Sequence, residues 1–137
     1  PFDKLDCYRM ALEHDESLSN AWYNVACVML RDEKLEQESR RFSVKGDVHN
    51  KAMCLLRAVE ENQENGNAWS MLLDTMRQER TKEYVTKKGK TITKAMVKEN
   101  IEKYPEQEKG VLNVKSNQGY LGFDYVHLLV SLFEPLN

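Results

Sequence analysis

Residues able to do chemistry are present in this chain but scattered. His14, His49 and His127 stand far apart and belong to no H-E-x-x-H or related metal-binding pattern. Cys7, Cys27 and Cys54 are an odd number, 20 and 27 residues apart, with neither a C-x-x-C pair nor a nearby histidine cluster. Three reduced, mostly buried thiols are therefore expected, not a metal site or a disulfide framework. Lys88-Gly89-Lys90-Thr91 matches only the tail of a phosphate-binding loop, because the earlier glycine and the preceding apolar strand are missing. The acid pairs Asp15–Glu16 and Glu60–Glu61 fall at turns and helix ends, where solvation accounts for them. The residues point to no catalytic group, no metal and no cofactor, so a non-enzymatic, binding role is the expectation.

Charge is uneven along the chain. The net charge is −2, yet the segment from Arg77 to Lys94 holds Arg77, Arg80, Lys82, Lys87, Lys88, Lys90 and Lys94 against only Glu79 and Glu83. Residues 1–38 carry nine acids and four bases. Lys87, Lys88, Lys90 and Lys94 form a candidate basic patch for an acidic peptide or nucleic acid, but no aromatic residues interleave the lysines for base stacking. A solvated loop is the favoured account of such a charge run. YVTKKGKTIT, residues 84–93, reads either as a β-hairpin about a K-G turn or as a loop.

Any binding surface has to be built from helices. The composition is 41% hydrophobic and 31% charged, with only three prolines and six glycines, which favours one helical domain. Trp22 is followed by Val25, Ala26 and Met29, and Trp69 by Leu72, Leu73 and Met76, each set being one face of an amphipathic helix. Upstream, Ala11 and Ala58 each stand eleven residues before a tryptophan, with Tyr8 and Leu55 three residues before the alanines. A small residue beside a large one lets two helices approach closely. Between lie HDESLSN and ENQENGN, which have turn and N-cap composition; Ser19 and Gly66, or the asparagines after them, are candidate caps. Gly46 and Asp47 are expected to open a helix with Val48, Cys54, Leu55, Ala58 and Val59 on its apolar face and Ala52 beside it.

Together, W-x-x-V-A-x-x-M and W-x-x-L-L-x-x-M, each with an alanine at a fixed upstream offset, resemble the tetratricopeptide repeat (TPR) pattern. The resemblance implies an all-α fold in which antiparallel helical hairpins stack as a TPR-like α-solenoid, with clear repeats at about 2–32 and 46–78. The tryptophans are 47 residues apart against 34 in the family, so 13 extra residues near RDEKLEQESRRFS are expected as an elongated first helix or a polar loop. Glu16 and Gln63 stand where the family has proline. A basic insertion at 77–94 and a divergent third repeat with an apolar C-terminal helix, 92–137, complete the single domain, 1–137. In that third unit Ile92, Met96, Ile101 and Tyr104 form the expected stripe, and Asn100 takes the place of the alanine.

The resemblance further implies a concave groove lined by Asn20, Tyr23, Asn24 and Cys27 from the first unit and by Asn67, Ser70, Met71 and Asp74 from the second. Such grooves hold an extended or helical peptide. Asn24 stands where some family members hold a peptide carboxylate, but Asn67 and Met71 occupy the places of the companion bases, so a carboxylate clamp is not expected. A protein or peptide partner within a larger complex is the main expectation, and RNA association through residues 77–98 the alternative. The chain starts at Pro1 and ends just after an apolar run, as a piece of a longer protein would. No signal peptide or lipidation motif is seen and LLVSLF is too short to span a bilayer, so an intracellular, cytoplasmic location without membrane partners is expected.

Overall fold

The computed structural model describes residues 4–31 and 42–106. Five helices and two β-hairpins follow in the order α1 (Lys4–His14), α2 (Ser19–Arg31), β1 (Phe42–Val44), β2 (Asp47–His49), α3 (Lys51–Glu61), α4 (Gly66–Glu79), β3 (Glu83–Val85), β4 (Thr91–Thr93) and α5 (Lys94–Lys103). Each helix packs against the next one in sequence. The molecule is thus mostly helical rather than all-α. No helix among the described residues is long and apolar enough to cross a membrane.

The core follows the expected stripes. Trp22, Val25, Ala26 and Met29 of α2 are buried, as are Trp69, Leu72 and Met76 of α4, with Leu73 partly buried against them. Ala11, Leu55 and Ala58 are fully enclosed, which is what the close approach of neighbouring helices requires.

The strongest regularity lies in the two turns. Asp15 N–H donates to Ala11 O at 2.9 Å and Asn62 N–H to Ala58 O at 3.0 Å. The Asp15 carboxylate accepts from Ser17 N–H at 3.0 Å, and the Asn62 amide oxygen from Glu64 N–H at 3.0 Å. The indole N–H of Trp22 donates to Glu16 O at 2.9 Å and that of Trp69 to Gln63 O at 2.7 Å. The backbone N–H of Trp22 reaches Leu18 O at 3.3 Å, and that of Trp69 reaches Asn65 O at 3.2 Å. Residues 11–22 and 58–69 therefore close the same four bonds in the same register, and the two residues in the proline positions use their carbonyls to hold the tryptophans. The end of α5 closes with the corresponding backbone bond, Tyr104 N–H to Asn100 O at 2.8 Å, which any α-helix end can make.

The first hairpin departs from expectation, and the second realises one of the two readings of residues 84–93. Gly46 and Asp47 do not open a helix: Lys45 and Gly46, at φ 50° and 83°, form a two-residue hairpin turn pairing Val44 with Asp47 and Phe42 with His49. Positive φ at both central residues suits the right-handed twist of the strands and favours glycine at the second. The helix begins at Lys51, behind Asn50, whose side chain accepts from Met53 N–H at 2.8 Å. Val48 is exposed on the outer strand face, whereas Cys54, Leu55, Ala58, Val59 and Ala52 are buried as expected. Only the end of the expected surplus, from Phe42, belongs to a hairpin strand; the longer helix or polar loop expected there falls on residues 32–41, which lie outside the described set.

Residues 84–93 are a hairpin too, pairing Tyr84 with Ile92, with Gly89 at φ 83° in the connecting loop. Ile92 belongs to β4 and not to a helical stripe; Val97 is the buried residue of α5. The expected basic insertion is shorter than 77–94, since Arg77 lies in α4 and Lys94 starts α5. A lone hairpin is marginal in water, and these two are held by their inner faces: Phe42, Val44 and His49 are buried in one, Ile92 in the other. The remainder of the third unit and the apolar C-terminal segment, 107–137, lie outside the described residues.

Candidate groove between the tryptophan helices

α2 and α4 present their non-core faces to a common depression of about 400 Å³. It is lined by Tyr23 and Leu30 from α2, by Asn67, Met71, Asp74 and Gln78 from α4, and by Lys51 at the start of α3 and Glu106 after α5. Of the eight residues expected to face a partner, Tyr23, Asn67, Met71 and Asp74 come together here. Asn20, Asn24, Cys27 and Ser70 do not line it. Asn20 instead accepts a bond of 3.3 Å from the side chain of Asn65. The Asn24 side-chain nitrogen is enclosed and has no hydrogen-bond partner among the described residues.

The chemistry of the depression is amphipathic. Met71 and Tyr23 supply half-buried apolar surface, and Leu30 is 44% exposed at the edge. Around them stand Lys51, whose ammonium donates to the Gln78 carbonyl at 3.2 Å, and Arg77 beside Asp74 at 3.9 Å. The sequence missed Leu30, Lys51, Gln78 and Glu106. Leu30 and Gln78 continue the i+7 and i+11 rows from Tyr23 and Asn67 and could have been read from helical spacing; Lys51 and Glu106 arrive through tertiary packing.

The basic patch is less of a unit than its sequence suggests. Lys87 is ion-paired with Asp47 of the first hairpin, an acid whose carboxyl is held below its ordinary range chiefly by that lysine. Lys88 and Lys90 are exposed at the loop, and Lys94 is partly buried at the start of α5.

Behind the groove, the Trp22 indole is walled in on several sides. The Arg57 guanidinium lies 4.7 Å from the ring centre, Phe42 meets it edge-on at 6.4 Å, and the His49 ring sits at 4.8 Å. Arg57 also reaches Glu16 at 3.4 Å and Glu61 at 3.3 Å. Lys45, first, and Arg57 draw the Glu16 carboxyl below its ordinary value. Burial pushes the Cys54 thiol well above the usual range, which makes it a packing group and not a nucleophile. Among the described residues no cluster of three or more His, Cys, Asp or Glu side chains is arranged to hold a metal ion.

No protein-family model matches this chain. No curated protein and no solved structure matches it either. The functional reading therefore rests on the geometry just described.

Proposed function

We propose that this chain is a non-enzymatic interaction scaffold of divergent tetratricopeptide type, whose helices stack as a short solenoid and bind a partner peptide or helix between α2 and α4. One observation carries the reading: two tryptophan helices, set by the same four turn hydrogen bonds, lie about a depression lined by Tyr23, Asn67, Met71 and Asp74. Repeated helices that expose their polar-apolar boundary side by side make an extended recessed surface, which suits a peptide better than a small substrate. Met71, Tyr23 and Leu30 would supply the buried anchor area, and Lys51, Asn67 and Asp74 the orienting polar contacts. An intracellular, cytoplasmic role as part of a larger assembly belongs to the same proposal.

The test is affinity capture with the native chain and with a Tyr23→Ala/Met71→Glu double variant. Loss of a partner from the second eluate, with unchanged helicity, is expected; identical eluates reject the groove. A salt titration of the captured complex separates the reading from nucleic-acid association through residues 77–98. Peptide binding should survive moderate salt, whereas binding that weakens steeply with salt and vanishes on Lys88→Ala/Lys90→Ala would transfer the function to that segment.

A further inference from the structure

The first hairpin meets the helices through several contacts: Arg9 of α1 donates to Ser43 O at 3.1 Å, Lys45 pairs with Glu16 at 3.1 Å, and His49, the hairpin's one buried titratable side chain, packs against Trp22. His49 is 3% exposed, its ring is tilted at 47° to the Trp22 indole, and its Nδ1 lies 3.3 Å from Phe42 O and 3.1 Å from Asp47 O. Both partners are carbonyls, which only accept, so the ring proton sits on Nδ1 and Nε2 is the position open to a second proton.

The surroundings of that ring are rich in cations. From α3 comes Arg57, stacked on Trp22 and paired with Glu16 and Glu61; from α1 comes Arg9, 5.3 Å from the Phe42 ring centre and paired with Asp6 at 2.7 Å. On the hairpin itself, Lys45 holds Glu16 at 3.1 Å, its backbone N–H lies 3.4 Å from Glu13, and the Asp47 carboxylate is taken by Lys87 of the second hairpin. Asp6, Glu16, Glu61 and Asp47 each have a basic partner, and Glu13 accepts from a backbone N–H.

We infer that the first hairpin is an acid-released clasp: neutral His49 locks residues 42–49 onto Trp22, and proton uptake at Nε2 detaches the hairpin from the helices. The direction of the histidine's titration agrees. Burial, first, and the Arg57 and Lys87 charges hold its protonation below the ordinary value of 6.5, outweighing the two carbonyls that favour the imidazolium. Because the clasped state binds the proton less well than the released one, clasping is complete above that value and weakens as pH falls. Release would uncover the inner face of Phe42 and Val44 and separate Asp47 from Lys87. The device does not depend on what the depression binds.

Amide hydrogen exchange of the intact chain between pH 8 and pH 5, corrected for the intrinsic pH dependence of exchange, tests it. The opening equilibrium of residues 42–49 should rise as pH falls, by at most about tenfold per pH unit, while amides of α4 keep their protection. His49→Phe should flatten that dependence, and His49→Gln, which keeps a donor but cannot titrate, should do the same. A flat profile in the native chain, or an unchanged slope in both variants, overturns the clasp. So does a directly measured imidazole titration of His49 with a midpoint at or above 6.5, which needs no variant to fold.

Discussion

Adding one methyl group at Gly66 tests how tightly the second unit closes. Gly66 is the first residue of α4, and a Cβ built there would lie 2.0 Å from Tyr104 O and 2.6 Å from Pro105 O. Carbon and oxygen need roughly 3.2 Å, so the overlap is about 1 Å, and both obstacles are backbone atoms that cannot rotate aside. Against this, alanine is favoured over glycine in a helix by up to about 1 kcal/mol. Forcing a methyl into filled space costs about 1–3 kcal/mol or more. Gly66→Ala should therefore lose roughly 1–2 kcal/mol net, and each 1 kcal/mol lowers the thermal midpoint of a domain this size by about 3–5 °C. Urea unfolding followed by far-UV circular dichroism measures it, with a lower midpoint and an unchanged slope as the expected result. If Gly66→Ala stabilises the chain by about 1 kcal/mol, helix propensity governs the site and the contact between α4 and the end of α5 is refuted.

Trp22→Phe and Trp69→Phe should each cost about 2–4 kcal/mol, because each leaves a cavity and strips the donor from an equivalent carbonyl; denaturant titrations should give similar losses, and a large inequality would deny their equivalence. Asn65→Ala should lose about 1–2 kcal/mol in the same assay, since Asn65 both caps α4 through Ala68 N–H at 3.2 Å and donates to Ser19 Oγ at 3.0 Å. Glu16→Gln should flatten the acid limb of the stability curve. The Glu16 carboxyl titrates below its ordinary value of 4.5 in the folded state, so its stabilisation is present above that pH and is lost as pH falls below it; a stability-versus-pH series on both proteins would show whether the limb survives.

Much of the helical frame was legible because it depends on local rules. Trp22, Val25, Ala26 and Met29 carry a 3.6-residue period that no other element type could bury, and Ala11 and Ala58 mark the close approaches in the sequence itself. The α4 cap lies one or two residues before the expected positions: Asn65 caps it, not Gly66 or Asn67, because both asparagines have the right side chain and only the turn decides between them. The first hairpin escaped notice for a physical reason. Its strands are three residues long, and its inner face includes a histidine, so period-two alternation never becomes visible. A signal did exist, since Lys45-Gly46 and Lys51-Ala52-Met53 recur 43 residues later as Lys88-Gly89 and Lys94-Ala95-Met96. That repeat ties each K-G turn to the helix behind it and would have placed both hairpins.

The site was legible by half for a similar reason. Tyr23, Asn67, Met71 and Asp74 sit on the helix faces that spacing assigns to solvent, and they do converge. Lys51 and Glu106 come from other elements, brought in by how α3 and the end of α5 pack, and no periodicity within α2 or α4 contains that information.

The most direct measurement is site-specific photo-crosslinking in cell extract, with a photoreactive side chain placed in turn at Tyr23, at Met71 and, as a control on the outer hairpin face, at Val85, which is 65% exposed. The account predicts the same partner polypeptide joined to positions 23 and 71 and not to 85. Labelling from 85 alone, or unrelated products from 23 and 71, would contradict a shared groove between the two tryptophan helices.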